Sequence, residues 1–268
     1  INNARYRITP ILSDQVISIN HADVFVRLLK AKITFHRLVH TFRSDGVNDE
    51  LVQLTWSNIY NSKEDSKKSV NKPKTSLAHY LFCKYGFSET MRLIANTEAH
   101  IVQDPAELEK YPKEDWILCE SSGIPSKGMK NYRKPNAVIV VRRDQYNRMA
   151  KHLIAGFFYV ADRYFFRFDH SAEHLNDHRF WRILLGLIIR RVADIRVDGA
   201  TNDGRIITDM NDHILSLDEY LDTMYKKRLE QIGHPCNDIY DLFQVIMTNI
   251  DVWLSQSDNQ VTNKYDKE

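Results

Sequence analysis

Through residues 24–42 apolar positions recur at helical spacing, with Val24, Leu28, Leu29, Phe35, Leu38, Val39 and Phe42 separated by Arg27, Lys30, Lys32 and Arg37. The pattern predicts one long amphipathic helix, with Asp23 as its cap and Gly46 just beyond its end. Residues 51–60 read as a second helix that runs into the polar stretch 61–69 and Pro73, an exposed loop. A helix over 76–85 stops at Gly86. Another opens at Ser88 and encloses Met91, Leu93, Ile94 and Ala95.

Past Pro105 the period changes. Trp116, Ile117, Leu118 and Cys119, and then Ala137 to Val141, read as short buried strands around a Gly-, Pro- and Ser-containing loop at 121–136. Helical pattern returns over 145–162, followed by a strand-like 164–168 and a strongly apolar helix over 180–193. Residues 195–197 and 205–208 flank a turn-forming stretch and predict a hairpin. Near the end, Ser216 and Glu219 form a capping box for a helix over 217–232, and a last helix spans 238–254.

The fold class expected from these elements is α+β, predominantly helical with a few short strands and hairpins. The expected organisation is a helical N-terminal region (1–62), an exposed polar loop (63–75), a main helix-rich domain with small β elements (76–255) and a polar tail (256–268). Of 268 residues 43% are apolar, enough for a core without covalent staples. Three widely spaced cysteines, Cys83, Cys119 and Cys236, argue against a disulfide framework and fit a reducing, cytoplasmic setting. No apolar run approaches the roughly 20 residues that span a bilayer, and the first residues lack a charged region followed by an apolar one, so neither a membrane partner nor a secretory leader is expected.

Net charge is only +2, so electrostatic function must come from distribution. Between positions 125 and 151, Lys127, Lys130, Arg133, Lys134, Arg142, Arg143, Arg148 and Lys151 meet only Asp144, a local balance of +7. Tyr132 and Tyr146 stand among these cations. Cations neutralise phosphates and aromatic faces stack bases, so the expected nucleic-acid-binding set is Lys127, Lys130, Tyr132, Arg133, Lys134, Arg142, Arg143, Arg148 and Lys151, with DNA or RNA as partner. A solvated basic loop and helix face is the alternative.

Other chemistry is less well supported by spacing. The stretch from Gly123 to Gly128 has two glycines of a phosphate-binding loop, but Met129 stands where that motif requires Lys. His170, His174 and His178 recur four apart beside Asp169, Glu173 and Asp177, a histidine stripe if one helix runs through them, yet no HExxH supplies a general base. Asp194, Asp198, Asp203, Asp209 and Asp212 surround the predicted hairpin, where turn chemistry favours Asp in any case. No metal site is assigned, no catalytic residue is identified, and no GxSxG or papain-like cysteine setting is present.

The helix-rich plan and the run Ser216-Leu217-Asp218-Glu219-Tyr220-Leu221-Asp222-Thr223-Met224-Tyr225-Lys226-Lys227-Arg228-Leu229 together resemble phage transcription proteins. Specifically, the chain looks like the small subunit of the split, two-polypeptide RNA polymerases of some podoviruses, relatives of the T-seven-type and mitochondrial single-chain enzymes. The DxxGR element, catalytic aspartates and HDS motif of those enzymes are absent from this sequence, so no catalytic role carries over. The resemblance implies a larger polymerase subunit as partner in a heterodimer, with magnesium on that partner and no cofactor in this chain. It also implies template, promoter or transcript contacts through the basic segment, and partner packing through the apolar helix at 180–193 or the face of 238–254. A metal-dependent nuclease using acids among Asp169, Glu173, Asp177, Asp194 and Asp198, and a non-catalytic helical adaptor, are the competing expectations.

Overall fold

The computed structural model describes residues 17–20, 23–27, 32–57, 74–125, 132–165, 170–189, 221, 223–250 and 252. Its first part is β-sheet. Strands β1 (Ile17–Asn20), β2 (Asp23–Arg27), β3 (Lys32–Ser44) and β4 (Val47–Ser57) replace the two helices expected there, so the predominantly helical class is overturned in favour of α+β with an extensive antiparallel sheet. The local reason is the turn between β3 and β4. Asp45 (φ 48°) and Gly46 (φ 81°) both take the left-handed conformation, and Ser44 pairs with Val47 across them. Two consecutive positive φ values match the right-handed twist of flanking strands, which is why Asp-Gly favours this hairpin. The same glycine had suggested a helix end.

Three further strands, β6 (Ala99–Val102), β7 (Trp116–Ser121) and β8 (Val138–Arg142), complete the order β1-β2-β3-β7-β8-β6, while β4 pairs with β3 and with the short β5 (Lys74–Ser76). Strand β3 is the hub. Phe35 and His36 pair with both β2 and β4, and Phe42 to Ser44 pair with both β7 and β4. Strands β2 and β7 therefore share one edge of β3 and leave residues 37–41 between them outside either ladder. This interruption is a notch in the sheet.

The helices are α1 (Leu77–Tyr85), α2 (Phe87–Ala95), α3 (Arg148–Tyr164), α4 (Ala172–Asn176), α5 (His178–Ile189), α6 (Thr223–Gln231) and α7 (Ile239–Thr248). Asn147 caps α3 by accepting from the Ala150 amide at 2.9 Å, and Asp238 caps α7 by accepting from Asp241 at 2.9 Å. Each satisfies an amide that the first turn leaves without a helical partner. The predicted helix at 88–100 is shorter and begins one residue earlier, after Gly86, and its last predicted residues form β6.

Alternation on β7 and β8 divides two cores. Ile117, Cys119, Ile139 and Val141 face the main core, and Trp116, Val138 and Val140 face a smaller one closed by Leu108 and Tyr111. In the main core Phe82, Phe87, Phe157, Phe165 and Trp181 form a continuous aromatic cluster: Phe157 lies 5.0 Å from Phe87, 5.5 Å from Phe165 and 5.7 Å from Trp181 between centroids, and Phe82 lies 4.8 Å from Trp181. Burial of each such ring is worth about 2–3 kcal/mol. Helix α5 buries Trp181, Leu184, Leu185 and Ile188, and α7 buries Ile239, Leu242, Phe243, Ile246 and Met247. Phe243 meets Tyr80 of α1 at 4.8 Å. The two apolar helix faces expected to receive a partner are thus covered within the chain itself.

The hairpin expected at 195–208, the capping box at Ser216 and most of the strand expected at 164–168 lie outside the described residues.

Candidate functional site

At the notch in the sheet a carboxylate is buried. Asp162 lies near the end of α3, whose buried side is apolar apart from His152, and has no exposed surface. Its Oδ2 sits 3.0 Å from His40 Nε2, which reaches in from the stretch of β3 that is paired with β4 but with neither β2 nor β7. Its Oδ1 accepts hydrogen bonds from the Ser121 hydroxyl at 2.6 Å and the Tyr132 hydroxyl at 3.1 Å. Ser121 Oγ also lies 3.0 Å from Tyr132 and accepts from the Gly123 amide at 3.1 Å. A buried carboxylate is tolerated only where donors replace water, and three side chains do so here.

The constellation contains Ser, His and Asp but is not wired for nucleophilic attack. In an acyl-transfer triad the histidine stands between the serine and the carboxylate; here the carboxylate stands between the other two, so His40 is not placed to remove the Ser121 proton. Partial burial, added to by the neighbouring Asp162 charge, pushes the Tyr132 hydroxyl up to about 12, so it remains a donor at neutral pH. The network joins β3, the end of β7, α3 and the return of the 121–136 loop.

Around this centre the predicted basic set divides. Arg143 turns inward: Nη2 bonds Asp45 Oδ2 at 2.7 Å and the carbonyls of Lys113 and Trp116 at 2.7 and 3.1 Å, tying the β3–β4 turn to the start of β7. Lys151 pairs with Asp49 at 3.4 Å and lies over the Tyr146 ring at 5.2 Å. Tyr146 is further held by a 2.7 Å contact between its hydroxyl and Ser44, and burial raises its pKa, so the stacking surface expected of it is already occupied. Lys134 pairs with Glu120 at 2.6 Å, and Arg142 covers Trp116 at 5.4 Å while reaching Asp144 at 3.3 Å. Arg133 and Arg148 are exposed. Lys127 and Lys130 lie outside the described residues.

The local excess of +7 is therefore reduced by Asp45, Asp49 and Glu120, acids supplied by other strands. Arg133, Lys134 and Arg148 are exposed and Arg142 half-buried, and these four flank β8. Exposed ion pairs such as Lys134–Glu120 are worth little in water and exchange readily for a phosphate.

The histidines do not form the expected stripe. The chain breaks at Asp177 between α4 and α5, so no single helix passes through all three. Ser171 accepts from the His174 amide at 3.2 Å while His174 Nδ1 faces the Ser171 amide at 3.4 Å, a capping box. His178 lies 3.6 Å from Asp177, whose carboxyl is held below its usual range chiefly by hydrogen bonds from Arg179. Asp169, Asp194, Asp198, Asp203, Asp209 and Asp212 lie outside the described residues. Among the described residues no three His, Cys, Asp or Glu side chains are grouped to hold a metal ion.

Cys83, Cys119 and Cys236 are buried and free, and burial pushes the Cys119 and Cys236 thiols each up to about 11. None has the lowered pKa of a nucleophilic thiol. Among the described residues no helix is long and apolar enough to cross a membrane.

Sequence reasoning missed the Asp162 centre. A usable signal was present: Asp162 is the one acid within the apolar run of α3, and such a residue needs partners from elsewhere in the fold.

No curated protein matches the chain. The model of the non-virion RNA polymerase subunit family matches residues 1–267, and the chain belongs to that family.

Proposed function

We propose that the chain is the nucleic-acid-binding subunit of a phage DNA-directed RNA polymerase of the split, single-subunit type. It takes part in template or promoter binding, while a larger partner in the heterodimer supplies the catalytic aspartates and their magnesium. The assembly works in the cytoplasm of the host cell.

The observation that carries this reading is the exposed cations Arg133, Lys134 and Arg148, with the half-buried Arg142, on a chain that belongs to an RNA polymerase subunit family. Cations of this kind bind a polyanion without base preference, and each phosphate contact releases condensed counterions. The polar centre at Asp162 supports a binding role over a hydrolytic one, because its wiring leaves Ser121 without a base.

The test has two parts. Fluorescence anisotropy with duplex DNA, single-stranded DNA and RNA should show binding whose logarithm falls linearly with log salt. Nucleotide incorporation on a promoter template should require this chain together with its larger partner. Absence of binding at low salt would favour the adaptor reading, and magnesium-dependent cleavage by the purified chain would favour the nuclease.

A further inference from the structure

Ser121 and Tyr132, eleven residues apart in sequence, both end on one oxygen of one carboxylate. Ser121 is fully buried at the end of β7; Tyr132 reaches the same Asp162 Oδ1 from the returning strand of the loop. His40 holds the other oxygen and fixes the carboxylate against β3. The next two residues after Tyr132 are Arg133 and Lys134, both at the surface, and Lys134 is guided by Glu120, the residue before Ser121. A fully buried carboxylate, reached by the buried Ser121 and the half-buried Tyr132, thus sets where two surface cations stand.

We propose that Asp162 and Tyr132 are positioning residues for nucleic-acid binding, acting through Arg133 and Lys134 by pinning the loop that carries them to α3. This inference rests on the proposed function and names the device that orients its cations. A cation on an unpinned loop still attracts phosphate, but it must lose conformational freedom when it binds, and that loss is subtracted from its contribution. Arg133 and Lys134, held next to a tyrosine whose hydroxyl is bonded to a buried carboxylate, have lost part of that freedom beforehand. The geometry also accounts for a fully buried Asp beneath a surface loop, which core packing alone would not require.

The test is a double-mutant cycle on the full chain with Tyr132→Phe and Arg133→Ala, read by anisotropy against a single-stranded oligonucleotide and its duplex over a salt series. Tyr132→Phe deletes one hydroxyl and keeps the ring, and thermal unfolding checks that the fold persists. In the wild-type background Arg133→Ala should weaken binding and lower the salt slope by about one phosphate. In the Tyr132→Phe background the same substitution should have a much smaller effect, the non-additivity expected of residues acting as a unit. Tyr132→Phe alone should weaken binding without altering the preference for sequence. Should Tyr132→Phe prove unstable, Ser121→Ala removes the parallel bond and enters the same cycle.

Additive effects of the two substitutions would overturn the positioning role while leaving the nucleic-acid reading in place. Failure of the wild-type chain to bind either probe at low salt would overturn both.

Discussion

His40 and Asp162 meet at 3.0 Å across 122 residues of sequence, at the place where, among the described residues, β3 has no neighbour on one edge. The contact substitutes a side-chain partner for the strand that is missing there. The two members are not equivalent. Removing His40 leaves Asp162 two hydroxyl donors, whereas removing Asp162 leaves His40, Ser121 and Tyr132 facing a buried gap. Urea unfolding should therefore rank Asp162→Ala as the more damaging, at about 3 kcal/mol or more, with His40→Ala nearer 1–3 kcal/mol. The reverse order would show that the histidine, not the carboxylate, is the centre of the network.

Gly86 stands between α1 and α2 at φ 76° and ψ 180°, and a Cβ there would lie 2.0 Å from the Asn176 carbonyl oxygen. The adjoining Ser88 hydroxyl donates to Asn176 Oδ1 at 2.6 Å, so the junction locks α2 onto the end of α4. Gly86→Ala combines a backbone conformation closed to L side chains with an overlap against backbone. It should lower stability by about 3 kcal/mol or more. Gly46→Ala, with open space around its Cβ, meets only the φ penalty and should cost about 1–2 kcal/mol. Equal midpoints for the two variants in thermal unfolding would refute the close approach.

How much of this was legible follows the range of each physical signal. The later helices, α1, α3, α5 and α7, and strands β7 and β8 were readable because their pattern is local. The sheet of the first part was not, since Val24, Phe35, Leu38 and Phe42 satisfy a helical template by coincidence while Asp45-Gly46 carried the deciding information. The inner faces of α5 and α7 announced that they would be covered, but an apolar stripe does not say by what; here α1 covers part of both. Charge counting failed in the same way, because Asp45 and Asp49 lie far from the basic segment in sequence and Glu120 just outside it, yet all three stand beside it in the fold.

His79 gives the protein an acid-sensitive interior. It is fully buried in α1, with Nε2 2.9 Å from the Trp181 carbonyl, and burial lowers its pKa from 6.5 to about 4 against a smaller opposing effect of that hydrogen bond. The unfolded chain binds a proton at His79 near pH 6.5 and the folded chain does not until about pH 4, so this contribution is complete above pH 6.5 and declines as pH falls between those values. The full difference is about 3 kcal/mol, of which about 2 kcal/mol is lost by pH 5. His79→Gln keeps a donor but does not titrate. Comparing urea midpoints at pH 7 and pH 5, wild type should lose about 2 kcal/mol more than the variant; equal losses would assign the acid sensitivity to other groups.

Arg143 and Arg133 lie ten residues apart within one basic segment, and the structure gives them opposite work. Arg143 holds the β3–β4 turn to β7 through Asp45 and two carbonyls, and Asp45 in turn accepts from the Leu118 amide at 3.0 Å and donates its own amide to the Leu118 carbonyl at 2.8 Å. Its ion pair is more than a third exposed on the arginine side, so solvent screens that part and the carbonyl bonds contribute most of the stabilisation. Arg143→Ala should lower stability by about 1–2 kcal/mol, and any loss of nucleic-acid affinity should follow from the displaced turn. Arg133 is exposed and should give the reverse result: unfolding within about 0.5 kcal/mol of wild type, with weaker, less salt-dependent binding. Measuring both properties on both variants separates the cations that build the sheet from those proposed to contact nucleic acid. If Arg133→Ala leaves binding untouched and Arg143→Ala abolishes it without loss of stability, the binding surface lies on the turn side of β7 and not beside Tyr132.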